Sequence, residues 1–115
     1  MKEGDRFYVQ HVLECIGRIS EYTRGGRSAF FSDTLIQDGV IRNLQVLAES
    51  TMRISGETKA RWPDVAWRDI AGFRNVVVHD YLGLDLEQIW DIVRLNLPVL
   101  RQQMERLEQE AESTG

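Results

Sequence analysis

The chain has 115 residues, 43% of them hydrophobic and 28% charged, with 9 Gly, 2 Pro and a single Cys. That length suits one domain with one core, taken here as residues 1–115, and the apolar fraction excludes a disordered chain. The longest unbroken apolar runs are three residues, as at 29–31 and 76–78, far short of the roughly 18 residues that suggest a membrane span. Met1 to Arg6 lead into an amphipathic segment rather than an apolar signal core, which points to a cytoplasmic protein. Cys15 by itself can form neither an internal disulfide nor a cysteine-based metal site.

Net charge is −4. Acidic and basic side chains balance over residues 1–84, and the excess lies beyond, where Asp85, Glu87, Asp91, Glu105, Glu108, Glu110 and Glu112 outnumber Arg94, Arg101 and Arg106. Most of the basic residues are Arg, the side chain suited to planar contact with phosphate or carboxylate. An acidic protein gains no diffuse attraction to nucleic acid, so any such role requires a local arginine patch.

Helical periodicity runs along the whole chain, and strand-like alternation is missing. Tyr8, Val12, Cys15, Ile19 and Tyr22 mark the apolar stripe of a first helix, with Asp5 as its expected N-cap and Gly25-Gly26 as its stop. Residues 27–32 read as a connection that tucks Phe30 and Phe31 against the core. Ser32 or Asp33 caps a second helix carrying Ile36, Val40, Leu44, Leu47 and Ile54, with Gly39 inside it and Gly56 at its end. Pro63-Asp64 opens a third, expected to run to about residue 79.

In the fourth, Leu86, Trp90, Val93, Leu97, Leu100, Met104 and Leu107 repeat as a heptad seam. Asp85 and Gln88 resemble a capping box. Pro98 withdraws the bond to the carbonyl of Arg94, which predicts a kink. The fold class is therefore all-α: an antiparallel four-helix bundle with a kinked long C-terminal helix.

Phosphate loops, His-Glu-x-x-His and Gly-x-Ser-x-Gly are absent, and no metal site or cofactor is expected. His11 and His79 lie on separate helices. On a wheel for the third helix, Ala66, Ile70, Phe73 and Val77 form the core arc, while Arg68, Gly72, Asn75 and His79 point away. Arg74 falls about 140° from His79 on that wheel. Either the helix unwinds near His79 or a second subunit completes a shared site. On the same wheel Tyr81 would lie within about 20° of Arg74.

Arg74, His79 and Tyr81 are spaced as Arg-x4-His-x-Tyr, a pattern that resembles the signature of HEPN domains and specifically of the HepT-like toxin family. Trp67, Ile70 and Gly72 ahead of Arg74-Asn75, the Asp33-Thr34 helix start and Leu97-Pro98-Val99-Leu100 extend the likeness over nearly the whole chain. Where relatives often carry a Gly-Glu pair, this chain has Ala48-Glu49.

The resemblance implies a metal-independent endoribonuclease, active as a homodimer and serving as the toxin of a toxin–antitoxin pair. Its implied partner is a minimal nucleotidyltransferase that attaches AMP to Tyr81. Arg74 and His79 would be catalytic, with Asn75 supporting them. The residue types suit the task, since an imidazole exchanges protons near neutral pH and a permanent cation steadies a phosphate gathering charge. Blander roles are also open: Arg74 pairing with Asp69 or Asp80, His79 capping a helix end, Tyr81 packing at an interface, and Trp62 either in the core or stacking on a base. A non-catalytic HEPN module that binds a nucleotide or docks a nucleotidyltransferase is the second reading, and a purely structural bundle the third.

Overall fold

The computed structural model describes residues 1–76 and 84–114. Among them the chain is helical with no strand, giving α1 (Glu3–Tyr22), α2 (Gly26–Ser32), α3 (Thr34–Arg53), α4 (Gly56–Arg61), α5 (Trp67–Gly72), a 3₁₀ turn (Phe73–Asn75), α6 (Leu84–Asp91), a π turn (Ile92–Asn96) and α7 (Leu97–Thr114). The all-α bundle is thus as expected. No helix among the described residues is long and apolar enough to cross a membrane.

α1 and α3 are the antiparallel centre. Asp5 meets Ser55, His11 meets Ser50, and Tyr22 faces Gly39, so the numbering rises along one helix as it falls along the other. Val9, Val12, Cys15, Ile16 and Ile19 pack on Val40, Leu44, Leu47 and Ala48, all at most 3% exposed. Burying such side chains stabilises by about 1.5–3 kcal/mol each for the larger aliphatics, before the entropy of ordering them. Gly39, disfavoured inside a helix, has a packing reason: a Cβ there would come within 3.1 Å of the Tyr22 ring.

Asp5 does not cap α1. Lys2 holds that position without a side-chain bond, and Asp5 sits one turn inside, 4% exposed. Its carboxylate accepts from the Ser55 backbone N–H at 2.8 Å, the Ser55 hydroxyl at 2.6 Å and the Thr58 hydroxyl at 2.7 Å. Burial alone would raise its pKa, but these bonds together with Lys2 hold it below the ordinary carboxylate value. The Ser55 hydroxyl in turn caps α4 by accepting from the Thr58 N–H at 3.3 Å. Gly56 therefore opens a short helix rather than ending a long one.

Residues 26–32 are helical rather than a bare connection. Gly26 adopts φ 85°, the left-handed conformation that lets the chain reverse after α1. Phe30 is fully buried with its ring 5.4 Å from that of Trp90, and Phe31 is half-buried, so the tuck of the two rings holds. Two turns of helix are too few to persist alone. The Phe30–Trp90 contact and the bidentate ion pair of Arg27 with Glu87 brace α2 against α6.

The C-terminal helix is interrupted where Pro98 predicts, and the interruption is a π turn in which the Leu97 N–H bonds to the Ile92 carbonyl. A π turn carries one residue more than a regular turn and rotates everything before it by about 100°. Leu97, Leu100, Met104 and Leu107 are buried as the heptad predicts, but upstream Ile89 and Ile92 take the core and Leu86, Trp90 and Val93 are only half-buried. The seam has moved by one residue. The expected cap at Asp85 falls on a side chain outside the described residues.

Candidate active site

The third predicted helix is shorter than its periodicity suggests. Pro63-Asp64 lies in a turn closed by bonds from the Val65 N–H to the Trp62 carbonyl (3.2 Å) and from the Trp67 N–H to the Val65 carbonyl (2.9 Å). This turn buries Val65 and leaves Ala66 exposed, outside the predicted core arc. α5 then spans only Trp67–Gly72, and the chain tightens into the 3₁₀ turn before Val76 becomes extended at φ −67°, ψ 115°. The helix thus ends before His79. The wheel angles that separate Arg74 from His79 and align it with Tyr81 assume a continuous helix, and they do not describe this segment.

Two contacts fix the turn. Phe73 is 7% exposed and, with Ile70, anchors it in the core. Gln45 of α3 donates its side-chain amide to the Val76 carbonyl at 3.0 Å. Gln45 has no signal in the sequence, since a polar residue on a helix beside an apolar stripe reads as solvated. Glu49, one turn further along α3, is exposed.

On this mount Arg74 and Asn75 both point into solvent. Arg74 makes no ion pair among the described residues, so pairing with Asp69 does not occupy it. Arg68 and Gly72 are exposed as the wheel predicts, and a Cβ at Gly72 would meet nothing within 4 Å. His79, Asp80 and Tyr81 lie outside the described residues, as does Val77. The structure therefore places half of the proposed constellation: a guanidinium and an amide, side by side on a braced turn.

Beside the turn lies a cleft of about 470 Å³ between α5 on one side and α6 with the π turn on the other. Arg68, Asp69 and Gly72 form one wall, and Gln88, Asp91 and Asn96 the other.

Other singled-out residues are accounted for structurally. His11 shares a 2.9 Å hydrogen bond between Nδ1 and the Ser50 hydroxyl. Cys15 is fully buried, and burial pushes its thiol pKa up, away from the reactive thiolate. Trp62 is half-buried, and its carbonyl accepts from the Trp67 indole at 3.0 Å, which assigns both rings to packing. Glu110, in the acidic tail, is bonded to Arg61 at 2.8 Å.

Comparison with known proteins agrees with the fold. The family described as "Ribonuclease HepT-like" matches residues 12–107. A Thermococcus cleftensis protein named "Probable ribonuclease HepT" is 32% identical over 93% of this chain and 98% of its own length. A Methanocaldococcus jannaschii protein with a provisional RNase name is 27% identical over 90% and 96%. Another from that organism, whose name joins a gamma-glutamylcyclotransferase to a provisional RNase, is 28% identical over 96% of this chain, which spans half of its length. A solved toxin–antitoxin structure with AMP-PNP superposes with a TM-score of 0.71 at 22% identity, covering 94% of this chain and 98% of that one.

Proposed function

This chain belongs to the ribonuclease HepT-like family, and we propose on that footing that it is a cytoplasmic endoribonuclease toxin cutting RNA without a metal ion. The observation that carries this reading is the exposed Arg74-Asn75 pair on a turn held by Phe73 and Gln45. A cation that makes no ion pair among the described residues, on a turn tied down by a buried ring and a hydrogen bond, is what a phosphate-handling site needs.

In the proposed reaction the ribose 2′-oxygen attacks the phosphorus and the bond to the 5′-oxygen breaks, leaving a 2′,3′-cyclic phosphate. His79 either takes the proton from the 2′-hydroxyl while water protonates the departing 5′-oxygen, or protonates the 5′-oxygen while water takes the 2′-hydroxyl proton. Arg74 neutralises charge on the non-bridging oxygens. Asn75 orients the imidazole or holds a phosphate oxygen. A second copy of the chain faces the first across this site as a homodimer. Purified protein is expected to cut single-stranded RNA in EDTA, and His79→Ala is expected to abolish cutting while the melting temperature is kept. Cutting at the wild-type rate by His79→Ala would overturn the assignment.

The proposal extends to control by a nucleotidyltransferase antitoxin. The structural neighbour was solved with AMP-PNP, an ATP analogue, which suits a partner that transfers AMP. The Tyr81 oxygen would attack the α-phosphorus of ATP, forming the new P–O bond as pyrophosphate leaves and the phenolic proton passes to water. The attached phosphate would compete for Arg74, and the adenosine would block the approach of RNA. Intact-mass spectrometry after co-expression is expected to show added AMP on wild type and none on Tyr81→Phe. An unmodified wild type held in an inhibited complex would replace modification with masking.

A further inference from the structure

The cleft beside the turn has no part in the chemistry assigned to Arg74, yet Phe73 and Val76, which flank the Arg74-Asn75 pair in sequence, both line it. Phe73 and Ile92, each 7% exposed, give it an apolar floor. Its walls offer two carboxylates, Asp69 and Asp91, two amides, Gln88 and Asn96, and one guanidinium, Arg68. Such a lining repels a phosphate and accepts a flat, neutral, polar ring. The volume of about 470 Å³ lies in the range of small-ligand sites.

Helix geometry builds one wall. The extra residue of the π turn carries Ile92 into the core and leaves Asn96 exposed at the rim. π turns of this kind occur frequently at functional sites. On the opposite wall Gly72 borders open space, since a Cβ there would meet nothing within 4 Å, and a larger side chain would extend into it.

We propose that this cleft seats a guanine base of the RNA next to the bond that is cut, and that Asp69 is its principal reader. This rests on the ribonuclease reading above. Guanine presents N1–H and N2–H side by side, a pair that matches one carboxylate, together with the O6 and N7 acceptors that arginine binds. Adenine and cytosine offer a single amino group, and uracil turns two carbonyl oxygens toward the acids. Asp91 lies 3.8 Å from Arg94, whereas Asp69 has no ion-pair partner among the described residues. Single-stranded RNA is read in this way, by splayed bases whose edges meet polar side chains.

The test separates binding from cutting. The 2′-O-methyl trinucleotides UGU, UAU, UCU and UUU cannot be cleaved, because the attacking hydroxyl is blocked. Titrated into the full chain, UGU is expected to bind about tenfold more tightly than the other three. Asp69→Asn and Gly72→Leu, each checked by thermal melting, are expected to erase that preference. In parallel, mapped cut sites in mixed-sequence RNA are expected to show guanine at one fixed position beside the cut. Equal binding of all four probes, or a guanine preference that survives both substitutions, overturns the proposal. Selective binding without any cutting keeps the guanine site and removes the ribonuclease reading. Cutting without base preference, with no favoured probe, does the reverse.

Discussion

Along α1 and α3, polar side chains that leave water find partners inside the protein. Asp5 is met by Ser55 and Thr58, Gln37 donates to the Phe30 carbonyl at 2.9 Å, Asn43 donates to the Gly39 carbonyl at 2.8 Å, and the Thr51 hydroxyl donates to the Ala48 carbonyl at 2.7 Å. Among the described residues no buried side-chain nitrogen or oxygen lacks a partner. Around the Arg74 turn the pattern is the opposite: Arg68, Asp69, Arg74, Asn75 and Asn96 are all exposed. The backbone differs in the same direction. α1 and α3 are unbroken twenty-residue helices, whereas the chain near the turn passes through a six-residue helix, a 3₁₀ turn and a π turn. Regular helix builds the scaffold, and among the described residues departures from it gather where polar groups are left exposed.

That contrast predicts a crossed result. Arg74→Ala is expected to lower RNA cleavage by about a hundredfold or more, the scale seen when one donor to a charged transition state is removed, with unchanged melting. Asp5→Ala is expected to do the reverse, costing about 2–3 kcal/mol of stability because two hydroxyls and an N–H lose a charged acceptor. The folded Asp5 pKa lies below its unfolded value, so the unfolded chain binds the proton more readily. Its contribution is therefore present above the unfolded value near about 4 and lost as pH falls through the folded one. Denaturant titrations from neutral to acid pH should show wild type weakening in that window and Asp5→Asn changing less. A large stability loss in Arg74→Ala, or none in Asp5→Ala, would break the comparison.

The same division governs how much the sequence discloses. The stripes of α1 and α3 and the lower seam from Leu97 to Leu107 are legible because apolar residues recur in step with an unbroken helix. Steps of 100° fail wherever the helix changes type. The α5 segment stops at Gly72 while its apolar spacing runs on to Val77, and the seam above the π turn passes from Trp90 and Val93 to Ile89 and Ile92. Arg74 stands out through the spacing of the motif, and Asn75 through its place on the outward arc of the wheel, where its exposure agrees. Gln45 and the Asp5 anchor were hidden because their bonds reach across 31 and 50 residues respectively.

The smallest expected effect tests whether core register explains the π turn. Removing Leu95, which is 54% exposed within it, brings Ile92 to four residues before Leu97 and Ile89 to seven. A regular α-helix would then carry Ile89, Ile92, Leu97 and Leu100 on one face. Pro98 would oppose that regular helix by clashing with the carbonyl one turn back, so the deletion belongs in a Pro98→Ala background. There, deleting Leu95 is expected to change stability by no more than about 1 kcal/mol, since only exposed surface is lost. Deleting Gln102, also exposed but set in regular α7, would turn Met104 and Leu107 off the seam and cost about 3 kcal/mol or more. Chemical denaturation of the two deletions side by side measures the difference. Equal losses would mean that the π turn itself stabilises the core. A near-neutral Leu95 deletion would mean that the core does not require the extra residue, and that its consequence lies at the rim of the cleft, where Asn96 stands.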